Sequence, residues 1–317
     1  MKTDRIIVSE EIRTKSGRPL EIGTGTGTQW KWLKLEQKER GKSSVSEELV
    51  SQLLTCFEVG FYHVDTAEVY TTHPEIGEAV KRSGIDRNDL FITSKFNGGI
   101  DEAPRTSKNP REALNKILKE LDMDFVDLFL VHQPFFDSDE SELSLESVWS
   151  QMIELKNEGK ARYIGVSNFA VCHLERLFRN FRKSDYPVVN QIEFHPCLQN
   201  QSRGIVQFCQ KNNILIEAYA PLAPLLGSSD DSQERQPLVS VLEKLSTRYE
   251  KTGAQILLRY CLQKSILPIT TSSKRERIEQ SLDVYNFSIR DDDMEMLDIE
   301  GSRYALQKFF KGAYENL

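Results

Sequence analysis

An acid and a phenol stand five residues apart in Asp65-Thr66-Ala67-Glu68-Val69-Tyr70, directly after the short apolar run Phe61 to Val64. If a strand ends at Asp65, one loop presents both side chains: a carboxylate that can organise a site and a phenol that can release a proton. Asp and Tyr are common loop residues, so the pair alone is a weak signal. Two further groups strengthen it. Lys95 closes the run Leu90-Phe91-Ile92-Thr93-Ser94-Lys95, and His132 closes Val126-Asp127-Leu128-Phe129-Leu130-Val131-His132. Both again fall at the C-terminal ends of apolar runs. Four proton-carrying groups from three strand ends are therefore expected to meet at one place.

The elements that would bring them together recur along the chain. Strand-like apolar runs fall near 61–65, 90–95, 126–132, 162–166, 188–194, 214–219 and 266–270, with a fainter one at 284–287. Between them lie stretches of helical period, such as Glu47 to Glu58 with Leu49, Val50, Leu53, Leu54 and Phe57, then Pro110 to Leu121 and Leu145 to Glu158. Eight strand-then-helix units predict an α/β fold of the (β/α)8 barrel type. Continuous apolar runs such as Leu128 to Val131 suit parallel strands covered on both faces. An open doubly wound sheet reads similarly, but a barrel mouth gathers polar residues from many strand ends more readily. Ile6-Ile7-Val8 and the turn at Gly17 predict an N-terminal β-hairpin capping the barrel floor. The polar stretch Gly227 to Pro237 predicts a long loop, and the aromatic tail from Arg303 to Leu317 is expected to fold back over the barrel mouth. No linker divides the chain, so residues 1–317 are expected to form a single barrel domain.

Composition sets outer bounds. The chain has 317 residues, 39% apolar and 28% charged, as in an ordinary soluble globular protein. A formal charge of -7 argues against nucleic-acid binding, which needs a basic face. Residues 1 to 20 lack the apolar segment of a signal peptide and no run reaches the length of a membrane span, which makes the cytoplasm the expected address. Five cysteines (Cys56, Cys172, Cys197, Cys209 and Cys261) show no metal-ligand spacing and read as reduced packing residues.

The motifs DTAEVY, TSK, VHQP, GVSNF (Gly165 to Phe169), NQIEFHP (Asn190 to Pro196) and AYAPL (Ala218 to Leu222) occur in an order and spacing that resembles the aldo-keto reductases. The likeness runs from about Gly23 to the end. The segments GTGTGT and ITTSS are most similar to a fungal branch that reduces α-keto amides and conjugated polyketones. The resemblance implies a (β/α)8 barrel and a nicotinamide cofactor lying across the mouth without a Rossmann domain. It also implies reduction of aldehydes or ketones to alcohols. The Gly23 to Gly27 segment is accordingly no dinucleotide fingerprint, since GTGTG lacks the GxGxxG spacing.

On this resemblance Asp65, Tyr70, Lys95 and His132 are the expected catalytic residues. Carbonyl reduction builds negative charge on oxygen, so Tyr70 is expected to act as general acid. A phenol with a pKa of about 10 is a reluctant acid, and Lys95 beside it is expected to lower that value, with Asp65 holding Lys95 charged. His132 would orient the carbonyl oxygen. His63, His73, His173 and His195 read as structural.

The resemblance also implies a cofactor set. Tyr219 would be the stacking shelf, and Ser167, Asn168 and Gln191 would meet the carboxamide, though Ser167 or Asn168 could instead cap the next helix. Thr26, Gly27, Thr28 and Leu222 join them. Toward the adenosine end stand Thr271, Ser272, Ser273, Lys274, Arg277 and Gln280. Thr271 takes the place of the family's Lys, which weakens the expected 2′-phosphate clamp, while Lys274 and Arg277 remain. NADPH is the expected cofactor, with NADH the alternative.

Trp30, Phe96, Gln133 and Phe169 are expected to wall the substrate pocket. Gln133, following the catalytic His where many relatives carry an apolar residue, suggests substrates with a second oxygen, such as 1,2-dicarbonyls. A rival reading makes the barrel a nicotinamide-binding sensor or regulatory subunit with residual reductase activity. A metal-dependent hydrolase lacks a His/carboxylate cluster, so no metal is expected. Monomers are expected.

Overall fold

The computed structural model describes residues 6–27, 29–39, 45–99, 105–136, 143–226 and 236–315. Its centre is a closed parallel barrel in which each strand pairs with the next and the last returns to the first. The strands are β1 (Gly23–Gly25), β2 (His63–Asp65), β3 (Phe91–Phe96), β4 (Val126–Val131), β5 (Ala161–Ser167), β6 (Val189–Glu193), β7 (Leu215–Tyr219) and β8 (Ile266–Thr270). Around them lie α1 (Gln29–Glu39), α2 (Glu47–Val59), α3 (His73–Ser83), α4 (Pro110–Leu121), α5 (Leu145–Asn157), α6 (Val171–Asn180), α7 (Ile205–Lys211), α8 (Gln236–Tyr249), α9 (Gly253–Gln263), α10 (Arg275–Leu282) and α11 (Asp291–Ser302). Among the described residues no helix is long and apolar enough to cross a membrane.

Local signals start and stop these helices. Ser46 caps α2 by accepting from Leu49 N, and Gly60 ends it at φ 116°. Asn109 caps α4 with Pro110 at its first turn, and Asp122 closes it in the left-handed region at φ 55°.

Register decides which side chains reach the site. Phe96, Val131 and Val166 lie level on neighbouring strands and pack outward, in one cluster with Leu114, Ile117 and Trp149 of the helices. The alternate set, Phe91, Leu128, Leu130, Val189, Leu215 and Leu267, fills the barrel with Ile12, Leu20 and Ile22 from the floor. Above this apolar plug the inward positions turn polar. Asp65 pairs with Thr93, Lys95 with Leu130, Ser167 with Gln191, and Gln191 with Glu217. An apolar floor under a polar mouth is thus written into strand parity.

Two sequence expectations need correction. The eighth strand is β1, not 284–287; Asp283–Tyr285 is a single 3-10 turn. A strand at Gly23–Gly25 has no apolar run to announce it, because its inward face is filled by neighbours: a Cβ on Gly23 would stand 2.6 Å from Ile269 Cδ1 and 2.8 Å from His63 Nδ1. The floor hairpin begins later than Ile6. It is pinned by the Arg13–Pro19 bridge and by Leu20 N donating to Ile12 O at 3.1 Å, with Gly17 at φ 99° in its turn. The Gly227 to Pro237 loop lies largely outside the described residues.

The tail does cross the mouth. Lys308 N and Phe309 N both donate to the buried Glu193 carboxylate, at 2.9 and 3.0 Å, and Tyr314 Oη donates to Asn168 O at 2.9 Å.

Gly23→Ala is expected to destabilise the protein by about 1–3 kcal/mol through overpacking. Gly25→Ala, whose Cβ would meet Ile269 Cγ2 at an ordinary 3.4 Å, should be felt far less. Urea unfolding midpoints compare the two; equal losses would refute the assignment of Gly23 to a filled inward position.

Candidate active site

Lys95 has no exposed surface, so its ammonium must be matched within the barrel. It donates to Asp65 Oδ1 at 2.6 Å and to Thr66 O at 2.8 Å. Burial alone would pull its pKa down, but the Asp65 charge, with Tyr70 and Glu217 behind it, holds it above the ordinary value. Asp65 is fixed from its other side by Gln191, whose Nε2 donates to Oδ2 at 2.8 Å. Its backbone carbonyl accepts from Thr26 N at 2.9 Å and Thr26 Oγ1 at 3.2 Å. Thr26 is fully buried and its hydroxyl also meets Thr72 Oγ1 at 2.8 Å, so it braces Asp65 and offers nothing to a cofactor.

Lys95 Nζ lies 5.3 Å from the centre of the Tyr70 ring, and His132 stands edge-on to that ring at 5.8 Å between centroids. Tyr70 Oη and the His132 ring nitrogens have no hydrogen bond among the described residues. In a site where Lys95, Asp65, Ser167, Asn168 and Gln191 are all engaged, these two groups are left for a ligand. The expected lowering of the Tyr70 pKa is corrected: burial raises it above the ordinary phenol value, and Lys95 only reduces that rise. His132 is held neutral, its pKa pushed down to about 3 by burial and by the nearby Lys95 charge. Gly27 closes the back of the site, because a Cβ there would meet Tyr70 Cε2 and Cζ at 2.9 Å. Thr28 lies outside the described residues.

The remaining mouth residues form one hydrogen-bonded lattice. Gln191 also donates to Glu217 Oε2 at 2.8 Å, which commits both its N–H groups and leaves its carbonyl oxygen as the free end. Ser167 Oγ donates to Gln191 O at 2.8 Å. Asn168, in the left-handed region at φ 63°, donates to His132 O at 2.9 Å and Ser167 Oγ at 3.0 Å. Its Oδ1 accepts from Tyr219 Oη at 2.8 Å and Gln201 Nε2 at 3.0 Å. Asn168 is thus saturated, and its present work is to hold His132 and Tyr219 in place. Tyr219 presents its ring to Phe309 of the tail, edge to face at 5.6 Å. Leu222 is half-buried between the two apolar clusters.

At the outer end, Ser272 Oγ accepts from Lys274 N at 3.1 Å and shapes the turn into α10. Thr271 Oγ1 accepts from Trp30 Nε1 at 3.2 Å. Lys274 and Arg277 are exposed and make no ion pair among the described residues, whereas Arg275 is held by Glu58 and Glu279. Gln280 is engaged with Glu276 on its own helix at 3.3 Å. Ser273 borders a groove of about 520 Å³ with Trp30, Glu47, Glu48, Ser51 and Gln52.

The expected substrate wall is largely absent. Phe96 points outward by register and Phe169 is 1% exposed within the helix-packed cluster. Trp30, 3% exposed, braces the loop after β8. Gln133 is also buried, donating to Gly99 O at 2.9 Å, but its Oε1 has no partner among the described residues. Sequence reading missed Gln201, Glu193 and Glu217. Glu217 carried a signal in retrospect: one acid inside the buried strand Leu215–Tyr219.

Among the described residues no group of three His, Cys, Asp or Glu could hold a metal. The barrel and its strand-end lattice agree with comparison to known proteins. Residues 21–300 match the Aldo/keto reductase family, and the chain belongs to it. It is an oxidoreductase that acts on small carbonyl compounds with a nicotinamide cofactor. The chain is 40% identical over 264 residues to an NADPH-dependent alpha-keto amide reductase of Saccharomyces cerevisiae, covering 82% of each chain. It is 34% identical over 279 residues to an NAD/NADP-dependent indole-3-acetaldehyde reductase of Schizosaccharomyces pombe, covering 87% of this chain and 92% of the relative. An aldo-keto reductase from a Medee basin deep-sea metagenome library superposes with a TM-score of 0.73 at 29% identity, over 96% of this chain and 98% of that one.

Gly27→Ala would push the Tyr70 ring from its seat. A displacement on the order of 1 Å should lower kcat by roughly a hundredfold. Steady-state kinetics beside a thermal melt test this; unchanged kcat in a folded variant would show that Gly27 does not set the ring.

Proposed function

We propose that this enzyme uses NADPH to reduce α-keto amides and related 1,2-dicarbonyl compounds to alcohols, with Tyr70 as proton donor. The observation that carries the reading is the pair of unengaged groups, Tyr70 Oη and the His132 ring, above the buried Asp65–Lys95 pair. The reading takes the chain as one barrel unit, a cytoplasmic monomer.

The site has features that fit a nicotinamide. Gln191 offers a free carbonyl oxygen of fixed orientation, Ser167 retains a lone pair, and Tyr219 supplies a flat face once Phe309 moves aside. When bound, the cofactor supplies hydride to the carbonyl carbon. The protein's part is to orient the substrate and deliver a proton to its oxygen. Neutral His132 donates an N–H to that oxygen and does not compete as a charge. Tyr70 Oη gives up its proton as negative charge grows beside it. Lys95 stabilises the resulting phenolate, and Asp65 keeps Lys95 charged throughout. Burial, which raises the Tyr70 pKa at rest, makes the Lys95 contribution necessary.

Gln133 supports the substrate class. Its Nε2 gives one N–H to Gly99 O, and its Oε1 is an acceptor without a partner among the described residues. That refines the expected preference for a second oxygen: an acceptor pairs with an N–H, which an α-keto amide has and an α-keto ester lacks. The name of the yeast relative supports the same choice. Free Lys274 and Arg277 beside Ser272 support recognition of the 2′-phosphate despite Thr271.

Tyr70→Phe should abolish NADPH-dependent turnover of every carbonyl tested at 340 nm; retained turnover would remove Tyr70 as the acid. Gln133→Leu should lower kcat/KM for an α-keto amide by roughly tenfold or more while sparing the matching ester. Equal losses on both would refute the N–H contact. Arg277→Ala should raise KM for NADPH well above its effect on NADH. A similar rise for the two cofactors would show that Arg277 does not read the phosphate.

A further inference from the structure

Glu217 lies on β7 with no exposed surface, between Gln191 on β6 and Leu267 on β8, and the chemistry above leaves it unused. Its Oε2 accepts from Gln191 Nε2 at 2.8 Å, the same nitrogen that donates to Asp65 Oδ2 at 2.8 Å. Its Oε1 is buried without a hydrogen-bond partner among the described residues. His63 Nε2 lies 3.9 Å from that oxygen. His63 Nδ1 lies 3.0 Å from Glu21 O, and since a carbonyl only accepts, Nδ1 carries the ring proton of the neutral imidazole. His63 Nε2 therefore carries no proton; it meets Thr93 Oγ1 at 3.3 Å and, at 3.9 Å, gives Glu217 Oε1 no hydrogen bond. An ionised carboxylate would leave its buried Oε1 without any donor among the described residues and share the single Gln191 Nε2 with the Asp65 carboxylate, an arrangement that favours the neutral carboxyl.

The other groups around Glu217 agree. Asp65 on β2 opposes its ionisation, Lys95 on β3 favours it but is already matched by Asp65, and Leu267 on β8 is apolar. Burial first, then the Asp65 charge, pushes the carboxyl up to about 8, with Gln191 and Lys95 acting the other way.

We propose that Glu217, holding its proton in the working enzyme, is a positioning residue that clamps Gln191 against Asp65 and keeps the Asp65–Lys95 pair balanced beneath Tyr70. The inference rests on the reading of Tyr70 as proton donor. With Glu217 neutral, Lys95 answers to one carboxylate and its charge is available to the forming phenolate. With Glu217 ionised, Lys95 answers to two, the phenolate is disfavoured and proton donation slows.

The sign follows directly. Rising pH removes the Glu217 proton, so wild-type kcat falls as pH passes through about 8. By the titration alone the neutral fraction at pH 9 is about a tenth of that at pH 7. Glu217→Gln keeps the side chain neutral at every pH, so its kcat should hold across this interval, any remaining alkaline limb belonging to other groups. Stability gives a second reading. The folded state keeps a proton that the unfolded chain releases near pH 4.5, so this group lowers wild-type stability as pH rises from about 4.5 to 8. The melting temperature of Glu217→Gln relative to wild type should rise over the same interval.

The experiment measures kcat with an α-keto amide from pH 6 to 10 for wild type, Glu217→Gln and Tyr70→Phe, and melting temperature over pH 4 to 9. Superposable kcat profiles for wild type and Glu217→Gln, with Tyr70→Phe inactive, overturn the Glu217 inference alone. An active Tyr70→Phe overturns the underlying reading instead. Should Glu217→Gln not fold, pH-difference infrared spectroscopy on the wild-type protein decides. Loss of a protonated-carboxyl band between pH 7 and 9 supports the proposal, and no such band overturns it.

Discussion

Lys95 is a cation with no exposed surface, and the rest of the mouth is arranged around making that tolerable. Removing one partner from a buried ion pair typically costs about 3–5 kcal/mol, because the other charge stays behind unpaired. Asp65 is accordingly held at every oxygen: Lys95 and Gln191 on its carboxylate, Thr26 on its carbonyl. Thr66 lends a second acceptor to the ammonium. These contacts come from β1, β2, β3 and β6, so the ion pair ties opposite sides of the barrel together. Tyr70 needs no hydrogen bond of its own to be placed. It is wedged between Gly27 and His132, above a charge whose position is over-determined.

Near this matched pair three buried titratable groups are kept neutral. His63 and His132 are pushed down to about 4 and about 3 by burial, and Glu217 up to about 8. The linkage runs in opposite directions. Below pH 6.5 the unfolded chain binds protons that these two imidazoles refuse, so stability falls toward acid; above pH 4.5 the unfolded chain sheds the proton that Glu217 retains, so stability falls toward alkali. The same desolvation that makes the site function as a low-dielectric cavity makes its stability depend on pH from both sides.

The barrel was legible because seven of its strands are apolar runs with helices of clear period between them. β1 was not, and the reason is its neighbours. Ile269 and His63 occupy the space where its side chains would stand, so glycine replaces the hydrophobic signal. Asp65, Lys95 and His132 were legible as types at strand ends, since parity places them inward and at the top, and Tyr70 as the phenol of the loop after β2, where it ends a 3-10 turn. The substrate wall was not, because an aromatic residue at the rim fits the outer packing as well as the mouth: Phe96 ends β3 in the outward set, and Phe169, two positions past β5, joins the helix packing. Glu217 was passed over because one acid in an apolar strand declares neither its ionisation state nor the partner across the barrel that decides it.

Asn168 shows how little slack the mouth has. Its side chain fills all of its hydrogen-bonding capacity, with His132 O, Ser167, Tyr219 and Gln201, and its carbonyl receives Tyr314 from the tail. A left-handed backbone at φ 63° lets one residue face all of these partners, a conformation Asn accepts more readily than most. A ligand amide can enter this lattice only by taking over a bond that a protein group now holds. Displacing Tyr219 Oη loosens the ring that Phe309 now covers, and displacing the bond to His132 O loosens the His132 imidazole. The tail, the aromatic shelf and His132 therefore share one set of hydrogen bonds, and a ligand amide that engages Asn168 rearranges all three.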